Sequence, residues 1–329
     1  MSGPPRAVAD VRRAVRDELA DLPRGATVLV AVSGGSDSMA LAAALQFEAR
    51  GRALHPAAVV VDHGLQEDSA AVAARTAERL AALGYTQVEV RRVSVGTSGG
   101  PEAAARDARY RAIEQSADRY GAAAVLLGHT RDDQAESVLL GLARGSGAGS
   151  IKGMRRRHGR YRRPLLDLSR SVTRQACEAE QIPVWDDPHN VDPVFARVRV
   201  RDRVLPVLEG ELGPGVSDAL ARTARLLQVD DAALQQWADE VRVKSQVDDT
   251  EGMALDVEVL SLVPEAVRTR VIRGALLDAG VPGGALRSSH VSDVEALVSC
   301  WRGQGEVHLP GRFGASRSCG RLLIARADR

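Results

Sequence analysis

The segment Thr27-Val28-Leu29-Val30-Ala31-Val32-Ser33-Gly34-Gly35-Ser36-Asp37-Ser38 changes character at its midpoint. The first half is a β-branched run that predicts a buried strand. The second half stops on a Gly-Gly turn and enters the alanine-rich stretch Ser38 to Ala49, which predicts a helix. A glycine turn at a helix start presents backbone amides and the positive end of the helix dipole, an arrangement suited to an anion. Ser33, Ser36 and Ser38 add hydroxyl donors. Neither GxxxxGKS/T nor GxGxxG is present here, so the loop is neither a Walker A loop nor a dinucleotide fingerprint. Asp37 is unusual beside an anion, because a carboxylate there needs a cation between the two. Mg²⁺, which takes one or two carboxylates plus phosphate oxygens, is the natural candidate. The plainer alternative is a turn in which Asp37 caps the helix.

Outward from this segment the pattern repeats. Val8, Val11, Val15 and Leu19 give the chain before it a helical apolar stripe. After it come a strand over Ala57 to Val61, a helix over Ser69 to Leu83 and an alternating strand over Gln87 to Val93. Pro101 opens a helix to about Tyr120, and Ala122 to Leu127 is a further buried strand. A helix from about Asp132 to Ala143 follows. Repeated strand, crossover and helix predict an α/β fold with a doubly wound parallel sheet, whose ligands bind beyond the carboxyl ends of the strands. Ser33 to Ser38, Asp62 to Gly64 and Gly128 to Glu136 all cluster at such ends. Acidic helices and short strands after about residue 215 predict a second, smaller domain, α+β or mainly helical. The expected domains are therefore 1–214 and 215–329.

The 44 basic and 43 acidic residues nearly cancel, which excludes a polycation of the histone type. All but Lys152 and Lys244 of the basic residues are arginine, which fits a GC-rich coding bias or phosphate recognition. Lys152 to Arg174 contains nine basic residues and only Asp167 as an acid, and Arg197, Arg199, Arg201 and Arg203 follow. This tract is either a solvated loop or a surface for nucleic-acid phosphates. No apolar stretch approaches a membrane span, and the N-terminal segment has no signal-peptide pattern. Cys177, Cys300 and Cys319 form neither a CxxC pair nor a zinc spacing, so a reduced, cytoplasmic protein is expected. Asp132 and Glu136 lie four apart on one helix face, and Asp133 and Glu136 three apart. Such a cluster can hold an ammonium group or take its proton, or it can simply be an acidic helix start favoured by the macrodipole.

Ser33-Gly34-Gly35-Ser36-Asp37-Ser38 after a strand resembles the SGGxDS loop of the PP-loop ATPases, which cleave ATP between the α and β phosphates and adenylate a substrate oxygen. Further segments resemble one branch of that superfamily. Val61-Asp62-His63-Gly64-Leu65 follows the second strand, and Glu102, Ala105, Arg106, Arg109 and Tyr110 match E-x-x-A-R-x-x-R-Y. Gly128 to Glu136 (GHTRDDQAE) is close to GHHxDDQAE, and Pro164-Leu165-Leu166 lies downstream. Asp187 to Asp192 (DPHNVD) and Arg197 to Arg201 resemble D-x-S-N-x-D followed by RNxIR. Together, over roughly residues 25 to 210, these are similar to the tRNA(Ile)-lysidine synthase family. Thr130 departs from a second histidine, Ser137 from threonine, His189 from serine and Val198 from asparagine.

The resemblance implies ligation of lysine to C2 of the wobble cytidine in an isoleucine tRNA with a CAU anticodon, with ATP and Mg²⁺ as cofactors. Adenylation of the cytidine releases pyrophosphate, and attack by the amine releases AMP. It implies catalytic roles for Asp37, Asp133 and Glu136, lysine binding by Asp133 and Glu136, and Mg²⁺ on Asp37. ATP would meet Ser33, Gly34, Gly35, Ser36, Asp37, Ser38, His63, Arg109 and His129. The tRNA would meet Lys152, Arg155, Arg156, Arg157, Arg199 and Arg201, and a homodimer is among the expectations. The rival enzyme is a PP-loop tRNA thiolase, which commonly needs a cysteine pair absent here. Amidating synthetases need a glutaminase segment, also absent. A non-catalytic adenine-nucleotide sensor would need no acceptor carboxylates.

Overall fold

The computed structural model describes residues 3–62, 64, 68–94, 101–145, 148–187, 191–247 and 252–326. The chain divides into two compact units, Met1–Leu227 and Gln228–Arg329. The division falls within a long helix, whereas the break expected at 214/215 lies on the Gly213-Pro214-Gly215 turn ahead of it.

The first unit runs α1 (Arg6–Glu18), β1 (Thr27–Val32), α2 (Ser36–Arg52), β2 (His55–Asp62), α3 (Ser69–Ala82), β3 (Val88–Arg92), α4 (Pro101–Arg119), β4 (Ala124–Leu127) and α5 (Arg131–Ala143). Then come α6 (Ala148–Ile151), a hairpin β5 (Arg157–His158) and β6 (Tyr161–Arg162), a 3₁₀ turn Pro164–Asp167, and α7 (Arg170–Ala179). The sheet order is β3-β2-β1-β4-β6-β5. Strands β3 to β6 in that order are parallel, with Val30 opposite both Ala58 and Leu126; only the edge strand β5 is antiparallel. β1 and β4 are central and buried on both faces, hence their unbroken apolar runs. One face packs α1, α2 and α7 through Val11, Val15, Leu41, Leu45, Ala176 and Cys177. The other packs α4 through Ile113 and Ala117 against Leu29, Val59 and Val125.

The basic tract is more ordered than the sequence suggested. It contains β5, β6 and the start of α7, and much of its charge is neutralised by acids elsewhere in the first unit. Glu18, only 4% exposed, accepts from Arg156 Nη1 at 3.3 Å and from Arg157 Nε at 2.8 Å. Asp21 pairs with Arg162 at 2.6 Å, which pulls its carboxyl down to about 2. Arg160 meets Glu114 at 2.6 Å, and Arg156 also pairs with Asp167. Arg156 and Arg157, expected on a surface facing RNA, thus fasten the β5–β6 hairpin to the end of α1.

After α8 (Ala196–Arg199) the chain winds through a π turn, Val200–Val204, into α9 (Leu205–Leu212). Pro206 has no N–H to continue an α ladder there, and the wider turn accommodates it. Val198, where the family pattern has a polar residue, is 6% exposed and belongs to the packed side of this helix. α10 (Val216–Ser245) then leads out of the first unit.

The second unit holds β7 (Gln246–Val247), β8 (Met253–Asp256), α11 (Val257–Ser261), α12 (Glu265–Asp278), α13 (Ser288–Ser299), β9 (Val307–Leu309), β10 (Phe313–Ser318) and β11 (Arg321–Arg326). Its sheet, β7-β8-β11-β10-β9, is antiparallel throughout, so the unit is α+β. Leu255, Ile272, Leu297 and Ile324 form its core. Arg317 donates to the carbonyls of Leu297 and Val298 at the end of α13 and lies 5.4 Å from the Trp301 ring, a cation at a helix C-terminus.

Candidate active site

At the end of β1 the backbone of Gly34 turns with φ +90°, and a Cβ there would stand 2.8 Å from Thr76 Oγ1. Only glycine fits both conditions. Ser38 ties the loop together: its Oγ donates to Gly35 O at 3.0 Å and accepts from the Ser33 N–H at 3.1 Å. The Trp185 N–H holds Gly34 O at 2.9 Å. Gly35 stands before α2, and no side chain caps that helix. The first amides of α2 are therefore free of a side-chain cap, and Asp37 does not serve as one.

Asp37 instead faces α7. Its Oδ1 accepts from Thr173 Oγ1, and its Oδ2 lies 3.4 Å from Arg170 Nε. Burial pushes its carboxyl up to about 6; the Thr173 and Arg170 hydrogen bonds oppose that, and Asp133 adds to it. Gly128, at the end of β4, comes so close that a Cβ would lie 3.1 Å from Ser38 N and 3.2 Å from Asp37 C. That approach brings His129 and α5 up against the loop.

The acids of α5 have three different settings. Asp132 accepts from the Arg170 backbone N–H at 2.8 Å and so fixes the start of α7. Asp133 Oδ2 accepts from Thr130 N at 2.7 Å and from Thr130 Oγ1 at 3.0 Å, which closes the first turn of α5. The local helix-start role is real, and Thr130 serves it in place of a histidine. Asp133 Oδ1 remains on the cleft side, 3.0 Å from Arg170 Nη2. Burial works against the Asp133 charge, but Arg170, the neighbouring His129, the Thr130 N–H and Arg197 outweigh it and hold the carboxyl below its usual range.

Glu136 is fully buried and surrounded by guanidinium groups. Arg201 Nε is at 2.7 Å, Arg170 Nη2 at 3.5 Å and Arg197 Nε at 3.6 Å. Arg197 Nη2 also donates to Ser137 Oγ at 3.1 Å. The serine that replaces threonine therefore keeps the hydroxyl in use. Arg197 and Arg201 project from α8 and the π turn, a kind of distortion often found at functional sites. Arg201, expected to meet tRNA, is thus an ion-pair partner of Glu136. Arg199 points elsewhere and donates to Pro193 O and Val194 O, both at 2.7 Å.

Arg170 was hidden in the basic tract and is the residue that sequence reasoning missed. It touches Asp37, Asp133 and Glu136 together. Burial opposes its charge, but the three carboxylates and Asp132 raise its pKa well above the usual arginine value. The signal available beforehand was its position a few residues after Pro164-Leu165-Leu166.

Arg109 and His129 do reach this cleft. Burial lowers the Arg109 pKa, with Tyr110 opposing and Arg106 and Arg197 adding to the effect. Burial holds His129 neutral, down to about 3, against the pull of Asp133 and with help from Arg163, Arg109 and Arg197. Lys152 and Arg155 flank a turn at Gly153 that Gln134 pins: its side chain bonds both Met154 N (2.7 Å) and Met154 O (3.0 Å). Asp62 accepts from Gly64 N at 2.9 Å and ends β2 as a turn residue. His63, expected at ATP, and the segment 188–190 lie outside the described residues. Among the described residues no cluster of three or more His, Cys, Asp or Glu suits a metal ion. A hydrated Mg²⁺ that shares its shell with phosphates requires no such cage, and Asp37 at the loop fits it. Cys177 donates to Ser36 O at 3.4 Å beneath the loop, and burial pushes its thiol up to about 12, which leaves it unreactive.

A strand-borne glycine loop, an uncapped helix start and carboxylates beyond the next strand define an ATP-using PP-loop protein. The profile of the PP-loop domain family matches residues 9–208, and that of the TilS substrate binding domain matches 255–323. The tRNA(Ile)-lysidine synthase of Thermobifida fusca is 53% identical over 99% of both chains, and that of Streptomyces coelicolor is 50% identical over 98% of this chain and 99% of its own. The chain belongs to the tRNA(Ile)-lysidine synthase family. A solved U34-tRNA thiolase, NcsA from Methanococcus maripaludis with its 4Fe-4S cluster, superposes with a TM-score of 0.53 at 20% identity over 68% of this chain and 80% of that one; it shares the fold. No helix among the described residues is long and apolar enough to cross a membrane.

Proposed function

We propose that the protein joins L-lysine to C2 of the wobble cytidine in an isoleucine tRNA with a CAU anticodon, using ATP. The observation that supports this is the convergence of Asp37, Asp133 and Glu136 on Arg170 close to the glycine loop, a cluster of carboxylates suited to an amine beside ATP. The loop amides, Ser33, Ser36 and Ser38 bind the departing pyrophosphate. Mg²⁺, when bound, neutralises phosphate charge, and Asp37 would hold it together with ATP. Arg109 and neutral His129 face the nucleotide, His129 as a hydrogen-bonding group and not as an acid.

Adenylation of the cytidine oxygen makes C2 electrophilic. Lysine is protonated at neutral pH, so its attacking amine has to lose a proton. Asp133, kept ionised at its cleft-facing oxygen, binds the amine and accepts that proton, while Glu136 fixes the substrate through its own charge. Lys152, Arg155 and Arg199 supply contacts to tRNA phosphates, and the reaction takes place in the cytoplasm. The thiolase alternative finds little support here: the relatives at around 50% identity are lysidine synthases, and Cys177 is the sole cysteine of the first unit.

The test is incubation with labelled lysine, ATP, Mg²⁺ and the CAU isoleucine tRNA. Lysine is expected to enter the tRNA with release of AMP and pyrophosphate, and EDTA is expected to stop both. Transfer of sulfur or ammonia in place of lysine would overturn the reading.

A further inference from the structure

The acids assigned to the substrates are already occupied. Asp133 Oδ2 is tied to the Thr130 N–H at 2.7 Å and to the Thr130 hydroxyl at 3.0 Å, so Oδ1 is the oxygen left for an amine. Arg170 Nη2 holds that oxygen at 3.0 Å. The same Nη2 lies 3.5 Å from Glu136 Oε1, and Arg170 Nε lies 3.4 Å from Asp37 Oδ2. A resident guanidinium therefore stands where an ammonium group at Asp133, or a cation at Asp37, would have to stand. Two cations crowded on one carboxylate oxygen repel each other, so substrate and Arg170 compete for it.

Arg170 is also the partner that can leave, because every acid it touches keeps another. Asp37 keeps Thr173 Oγ1, Asp133 keeps Thr130, and Glu136 keeps Arg201 at 2.7 Å and Arg197 at 3.6 Å. Among the described residues, Arg197 and Arg201 pair with Glu136 and with neither Asp37 nor Asp133, so neither spans the site as Arg170 does. The Arg170 backbone is fixed separately. Its N–H donates to Asp132 Oδ2 at 2.8 Å, and the Arg131 N–H donates to Leu168 O at 2.9 Å, which stitches the starts of α5 and α7 together. Only the side chain has to move, and it is 27% exposed. Charge sets its destination. Asp37 is the second residue of α2, so the guanidinium already borders the glycine loop. A polyphosphate there carries several negative charges against one on each carboxylate, and a guanidinium fork matches phosphate oxygens.

We propose that Arg170 is a gate between the two small substrates: in the empty enzyme it covers the carboxylates, and ATP at the glycine loop draws its guanidinium onto the phosphates and bares Asp133 for the amine. This gate rests on the ligase reading above and adds a positive coupling to it. ATP raises the affinity for lysine, and by reciprocity lysine raises the affinity for ATP. The amine is thereby admitted once the nucleotide is in place.

Equilibrium dialysis of labelled L-lysine, with and without Mg²⁺ and α,β-methylene-ATP, measures the coupling in the wild type, Arg170→Gln and Arg170→Lys. The analogue cannot be cleaved between its α and β phosphates, so binding is read without turnover. In the wild type the nucleotide is expected to lower the lysine Kd by about tenfold or more, within the usual range of coupling between sites. Arg170→Gln is expected to bind lysine without nucleotide more tightly than the wild type does, since the competing cation is gone, and to lose most of the coupling. Arg170→Lys is expected to keep part of it. A residue that only supports the fold gives the opposite sign, weaker lysine binding in both conditions, and that result overturns the gate. Coupling of wild-type size in Arg170→Gln overturns it as well, because the phosphate charge then acts on the amine directly. A crystal structure of the wild type with the analogue and Mg²⁺ checks the movement without any variant: Arg170 on a phosphate oxygen is expected, and Arg170 still on Asp133 Oδ1 overturns the gate. A wild-type lysine Kd that nucleotide does not lower overturns the gate and leaves the ligase reading standing. Absence of lysine transfer in the tRNA assay above overturns the ligase reading, and the gate with it.

Discussion

Asp37 shows how a residue can be placed for function against its own comfort. Its carboxyl titrates near 6 because burial costs the charge more than Thr173 and Arg170 return. A folded-state pKa above the usual carboxylate value means stability that is full below that value and lost as pH rises through about 6. Asp37→Asn is therefore expected to melt higher than the wild type at pH near 8, by on the order of 2 kcal/mol, with the gap closing toward pH near 4. Pyrophosphate release by the same variant is expected to vanish. Thermal melts at the two pH values check the first, and a pyrophosphate assay the second. At this scale the sequence named Asp37, Asp133 and Glu136, since each sits in a dense local motif. It could not name Arg170, whose meaning lies in contacts with residues 133, 37 and 34 positions away in sequence.

At the scale of elements, the β5–β6 hairpin matters for what its charges do. The nine basic residues of the tract read as a solvated loop or a surface for nucleic-acid phosphates, but a charge run in one dimension does not reveal its partners. Glu18 at the end of α1 stands 138 residues from Arg156 in sequence and takes both Arg156 and Arg157. Glu18→Gln removes a buried carboxylate from two guanidinium groups that are themselves partly solvated and is expected to cost about 1 kcal/mol. Chemical denaturation checks that value. Lysine transfer at a permissive temperature is expected to persist, because neither arginine is needed at the acceptor site. The α8–π–α9 helix carries a similar lesson. Alternate arginines suggested a basic strip, whereas the helical winding turns Arg197 and Arg201 inward to Glu136 and leaves Arg199 on the outside.

For the whole molecule, near-neutral net charge and RNA binding are compatible, because local fields and not totals govern phosphate contact. With Arg156, Arg157, Arg160, Arg162 and Arg201 engaged internally, the RNA-facing charge is smaller than a count of the tract implies. The affinity for tRNA is expected to fall with salt, with a slope set by roughly 0.7 to 0.9 counterions per contact, and to report only a few contacts. Filter binding over a salt series checks this; a slope near ten, as in lac repressor, would mean that those arginines leave their partners on binding. By itself the sequence determined the parallel sheet, the glycine loop after its first strand and the clustering of Asp133 and Glu136 at a strand end, because apolar periodicity, glycine turns and short motifs are local properties. The tertiary structure alone decided which charges are spent on one another and which are left over. Pairing energy depends on distance in space and on burial, and neither is written along the chain.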